Sequence, residues 1–157
     1  MSYGRQVLGT AGRGFEISVD GKPEMKSGGV TIDWSTVTAV SGSPVTLLDG
    51  VTVEIGQKYL AAGQVITKIT ASGKYGPYDV SPVSDGRQTL AKGRCFIVAR
   101  TVINDPDPKL EHIPTLEGGK VWRDMVKATT GTASLADGPT FATLDPVMPR
   151  LVYVDRT

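Results

Sequence analysis

The sequence predicts a mainly β domain with a small β-barrel or sandwich-like core, one or two short helices and a flexible N-terminal arm. Three observations carry that expectation. Short apolar runs alternate with turn residues along most of the chain. Glycine (19 residues) and proline (10) are too frequent for a helical protein. Only one stretch carries an apolar stripe at helical spacing. The 157 residues suit a single domain. A chain of this size removes roughly 70% of its unfolded surface from water, so it needs no covalent staple.

The elements follow in order. Residues 2–14 are Gly-rich and hold few large apolar side chains, which predicts an arm that orders on contact. Phe15 to Asp20 alternates apolar and polar, the period of a half-buried strand, and Asp20-Gly21 is a turn signal. Lys22 to Gly29 is polar and ends in a Gly-Gly hinge. Val30-Thr31-Ile32-Asp33-Trp34 is a second alternating run. Leu47-Leu48, Asp49-Gly50 and Val51 to Ile55 give the strongest hairpin signal, since Asp-Gly tolerates the positive φ of a tight I′ turn. Tyr59-Leu60, Val65-Ile66 and Ile69 continue the β pattern. Ser72-Gly73 turns the chain toward Tyr75 and Tyr78. Pro77 cannot donate to a ladder, so this return segment is an edge or a loop.

Cys95 to Val98 is an unbroken apolar run, read as a central strand. Asn104 to Pro108 is a loop, broken by two prolines. Gly119 to Ala128 is the helix candidate, with Val121, Trp122, Met125 and Val126 on one face and Gly131 as its stop. Leu151 to Val154 reads as the final strand. The organisation expected is an arm over residues 1–29, a β-rich core over 30–130 and a C-terminal extension over 131–157 that packs on the core or on a neighbour.

Several function classes lose their footing here. Formal net charge is +1, from 17 basic and 16 acidic residues, which gives no electrostatic footprint for nucleic acid. Lys92, Arg94 and Arg100 near one strand read as solvated edge residues. Cys95 is the only cysteine, so no intrachain disulfide is possible. Its apolar neighbours predict burial as a small hydrophobe. The first residues contain no apolar signal core, and no run approaches the ~20 apolar residues of a membrane-spanning helix. The expectation is a soluble chain made in a reducing cytoplasm, with no membrane partner.

Catalytic readings are weaker still. His112 is the only histidine and no G-x-S-x-G elbow accompanies it. It reads as a surface or interface residue. A nucleophilic Cys95–His112 pair would require an open, electropositive site, which the Phe-Ile-Val run opposes. One His and one Cys cannot build a zinc site without several carboxylates. Asp105 and Asp107 lack the rest of a calcium loop, and Gly28-Gly29 and Gly118-Gly119 lack phosphate-cradle spacing. No cofactor and no metal are expected. Trp34 and Trp122 are anchors of a core or of a subunit interface.

One segment is more distinctive than the rest. Leu60, Ala62-Gly63, Val65-Ile66, Lys68-Ile69, Ser72-Gly73-Lys74-Tyr75, Pro77-Tyr78-Asp79 and then Asp85-Gly86 resemble the pattern of lambda-type bacteriophage head decoration, or capsid cement, proteins. Cys95 to Val98 and Gly118-Gly119-Lys120-Val121-Trp122 extend the resemblance over residues 47–128, about half the chain. It implies a non-enzymatic homotrimer on the outer surface of an expanded phage head at three-fold sites, bracing the shell against internal DNA pressure. The partners implied are the major capsid protein and the chain's own copies, in the virion, after synthesis in the host cytoplasm. The family's N-terminal arm pairs with capsid strands, which would dock Phe15, Ile17 and Val19 by strand addition. Gly63, Lys74, Tyr75, Pro77, Tyr78, Asp79 and Trp122 would be core or interface residues. The chain is longer than short family members at residues 1–30 and 131–157. The alternative is a carbohydrate- or receptor-binding β module of a phage tail, with Tyr75 and Tyr78 as its stacking aromatics.

Overall fold

A computed structural model describes residues 19, 24–47, 50–79, 84–104, 112–126 and 141–155. Among them the protein is mainly β, as expected. Twelve short strands are present: β1 (Glu24–Met25), β2 (Val30–Thr31), β3 (Val45–Thr46), β4 (Thr52–Val53), β5 (Lys58–Leu60), β6 (Val65–Lys68), β7 (Tyr75–Pro77), β8 (Cys95–Val98), β9 (Val102–Asn104), β10 (His112–Ile113), β11 (Thr115–Trp122) and β12 (Leu151–Val154). The described α-helix, α1, is a single turn at Phe141–Leu144, and 3-10 turns lie at Trp34–Thr36 and Arg123–Met125.

The main sheet runs β1-β11-β8-β6-β7, all antiparallel, and β12 joins β11 in parallel. Three small antiparallel pairs surround it: β10 with β2, β3 with β4, and β5 with β9. Both faces of the sheet are covered, which explains why β8 reads as unbroken apolar sequence. Cys95 and Ile97 point into one core with Ala62, Val65, Tyr78, Leu116, Val121, Met125, Leu144 and Leu151. Phe96 and Val98 point into a second, with Val30, Ile32, Trp34, Leu60, Ile66 and Tyr75. Each large aliphatic side chain buried in this way contributes roughly 1.5–3 kcal/mol. A third, smaller cluster of Val40, Leu47, Val53 and Ala61 lies under the β3–β4 hairpin.

Four expectations are corrected. The helix over Gly119 to Ala128 is replaced by the second half of β11 and the 3-10 turn that follows it. Along β11, Val121 is buried, Lys120 is exposed and Trp122 is half-buried. β12 supplies a parallel partner for Gly119 to Trp122. The spacing that suggested a helical stripe is produced by a strand and the turn after it. The strand over Val30 to Trp34 stops early: Ile32 makes one parallel bridge to Tyr75, and Trp34 opens a 3-10 turn. Asp33 is the cause, since its carboxylate accepts from the Ser35 amide at 3.0 Å and offers the backbone an alternative to the ladder.

The 47–51 turn is one residue longer than the tight form. Gly50 donates to the Leu47 carbonyl at 2.9 Å, and Leu47 donates to Val51 at 2.8 Å. Gly50 itself has a left-handed backbone (φ +87), which glycine adopts without strain. Finally, the sheet begins inside the segment expected as an arm, because Glu24 and Met25 pair with Gly118 and Leu116. The alternating run Phe15 to Asp20 lies outside the described residues except for Val19, whose amide donates to the Lys120 carbonyl at 3.0 Å. The loop residues Asp105 to Pro108 and the helix stop Gly131 also lie outside them.

Candidate functional site

The distinctive segment folds as the β6–β7 hairpin at one edge of the main sheet. Ile66, Thr67 and Lys68 face Pro77, Gly76 and Tyr75. The turn closes through Ile69 donating to the Lys74 carbonyl at 2.7 Å and Gly73 donating to that of Ile69 at 2.9 Å. The Ser72 hydroxyl accepts from the Lys74 amide at 3.2 Å. Pro77 sits on the outermost strand, where its missing N–H leaves no ladder partner unmet.

The two tyrosines of this hairpin face opposite sides of the sheet. Tyr75 is buried in the second core, its ring 5.7 Å from Phe96 and tilted by 55°. Tyr78 is buried in the first core, and its amide donates to Val65 at 3.1 Å. Burial raises both phenols above their ordinary value. Neither is an open platform for a sugar ring. Asp33 meets the edge of this hairpin: its amide donates to the Tyr75 carbonyl at 2.9 Å. The Ser35 hydroxyl holds the Asp33 carboxyl low, and the charges of Lys74 and Arg87 add to that.

Arg87 is the residue that sequence reasoning missed. It is buried against the hairpin. Its amide and its Nε reach the two Asp85 carboxylate oxygens at 3.0 and 2.9 Å, and Nη1 donates to the Pro77 carbonyl at 3.3 Å. Its own carbonyl accepts from the Thr67 hydroxyl at 2.7 Å and from the Asp79 amide at 3.4 Å. Burial raises the Asp85 carboxyl, but the Arg87 hydrogen bonds and charge outweigh it and hold the group below its ordinary value. The Asp85-Gly86 signal was legible as a turn. That Asp85 also holds Arg87 two residues on was the unused part of it.

The Arg87 guanidinium thus ties Pro77 to Asp85, and the Arg87 carbonyl ties Asp79 to Thr67, while Tyr75 and Tyr78 lie in the two cores on opposite sides of the sheet. Gly63 lies at the other end of β6. Its φ is +90, its amide donates to Val98 at 2.8 Å, and a Cβ there would stand 1.8 Å from the Met125 carbonyl oxygen. Only glycine lets the turn after β11 approach so closely. Trp122, the residue before that turn, packs half-buried against the first core. The Phe15 and Ile17 positions lie outside the described residues.

Cys95 is buried, its Sγ donates to the Ala91 carbonyl at 3.4 Å, and burial pushes its thiol up to about 11. It is a protonated core group at neutral pH, which opposes a nucleophilic role. The His112 backbone pairs with Thr31, while its side chain lies outside the described residues. No cluster of metal-ligating side chains occurs among the described residues, and no described helix is long and apolar enough to cross a membrane. Among the described residues, the exposed large apolar side chains are Ile55 (56%) and Val152 (52%). Comparison of the chain with protein-family models, with curated proteins and with solved structures returned no match.

Proposed function

We propose that this protein is a capsid decoration protein that binds the outside of an expanded phage head at three-fold sites and braces it against the pressure of packaged DNA. The reading extends to the finer architecture, a homotrimer with a small barrel- or sandwich-like core, and to the major capsid protein as partner. The observation that carries it is the Leu60 to Asp79 pattern with its Asp85-Gly86 turn. In support, the segment's conspicuous residues are used in packing and in one another's hydrogen bonds, as a scaffold motif requires. The burial of Tyr75 and Tyr78 supports this reading over the tail-module alternative, which uses them as open stacking aromatics.

Binding would proceed by strand addition from the N-terminal arm, with Phe15, Ile17 and Val19 as the docked side chains. Repetition at every three-fold site makes the attachment multivalent, so weak single contacts suffice. The test is retention on expanded heads stripped of decoration, measured by sedimentation with the full chain and with a variant lacking residues 1–20. Retention of the full chain and loss in the variant is the expected result. Binding by neither, on heads shown to be competent, overturns the proposal, and glycan binding by the isolated protein then favours the tail module.

A further inference from the structure

We propose that Arg150 is a latch that fastens β1 to the sheet, so that the order of the N-terminal segment is governed by the C-terminal one. The proposal does not depend on the capsid reading. β1 is weakly held by its own backbone: it has two residues, and its register shifts between Glu24 and Met25. So short a strand is marginal without further contacts.

Met25 packs against the first core and Lys26 lies 5.6 Å over the Phe96 ring, and the ionic fastening of the strand comes from one guanidinium. Arg150 Nη2 binds the Glu24 carboxylate on β1, and Nη1 lies 3.6 Å from the Glu117 carboxylate on β11. Arg150 immediately precedes β12, and its carbonyl accepts from the Gly119 amide at 3.0 Å. The next residue, Leu151, is buried in the first core. The latch is therefore anchored in the C-terminal segment and reaches across β11 to the N-terminal strand. Gly118 makes room for it. A Cβ there would stand 2.7 Å from the Glu24 carboxylate oxygen and 3.1 Å from Arg150 Cβ.

The side chains are partly exposed, so the effect is modest. Removing the latch should raise the opening of β1 by about two- to fivefold. The effect is read at a strand of two residues with an irregular register. Two amides bracket the latch and report on it: Lys26, which donates to Thr115 at 2.9 Å, and Val19, which donates to Lys120 at 3.0 Å.

The experiment is residue-resolved hydrogen exchange on the full chain and on Arg150→Ala, Glu24→Gln and the double variant. Lys26 and Val19 should exchange faster by that factor in each single variant and no faster in the double. The amides of Lys68 and Val98, bonded to Arg94 and Gln64 within the main sheet, should keep their rates. Unchanged reporters, reporters that move in step with Lys68 and Val98, or effects that multiply in the double each overturn the proposal. If Arg150→Ala disturbs Leu151, Glu24→Gln decides alone, because it leaves β12 untouched. Gly118→Ala, which alters no charge, should speed the same two amides, and its failure to do so also counts against the latch.

Discussion

Two hairpins of this protein begin from similar local signals and end in different environments. β6–β7 turns at Ser72-Gly73, and β3–β4 turns before Gly50. The first is part of the main sheet, with a tyrosine in each core and a buried arginine tying its return strand to the following turn. The second is a separate two-stranded pair over a cluster of four buried residues. A cross-strand side-chain hydrogen bond joins Thr46 and Thr52 at 3.2 Å, in solvent, and Ile55 beyond it is exposed. Turn chemistry decides that a hairpin forms. What it packs against decides how firmly it is held.

The largest expected effect breaks the firm side of that comparison. Gly63→Ala places a methyl group against the Met125 carbonyl in a backbone conformation that L residues avoid. A loss on the order of 4 kcal/mol, read from urea unfolding, is expected. Arg87→Ala is the next test. It removes the charged partner of the Asp85 carboxylate, which keeps the backbone amide of residue 87, and leaves the Pro77 carbonyl without that donor. The expected cost is about 2–3 kcal/mol, with the Tyr78 amide exchanging faster than in the parent. Thr52→Ala is the smallest, at about 0.5 kcal/mol. It should quicken exchange of the Leu47 amide, which closes β3–β4, and leave Tyr78 unmoved. An equal response at both amides would mean that the two hairpins open as one unit.

The pattern of success in reading the sequence has the same physical root. Cys95 to Val98 was legible as a central strand because both its faces are buried, which leaves no polar position in the run. Pro77 was legible as an edge because a missing N–H has few tolerable places in a sheet. The final strand, Leu151 to Val154, showed its own β-branched character. The second half of β11 was not legible, because its partner lies thirty residues further on and the apolar spacing of Val121, Trp122, Met125 and Val126 suits either state. Trp34 fell off its predicted strand because a side chain, Asp33, competed with the ladder. Of the candidate site, Tyr75, Pro77 and Tyr78 stood out in sequence, whereas Arg87 did not. A buried arginine is defined by its partners: Asp85 is local, two residues before it, whereas the Pro77 carbonyl is brought there by the fold.

β11 gathers both extremities of the described chain: Val19 bonds to Lys120, and Val154 lies opposite Trp122. That proximity makes the topology permutable. A linker from Asp155 to Val19, with new termini opened between Gly42 and Ser43, would preserve every strand pairing of the main sheet. The residues around that opening are exposed, and a Cβ on Gly42 would meet no neighbouring atom. The order in which the strands are spelled along the chain is, for this sheet, separable from the order in which they lie.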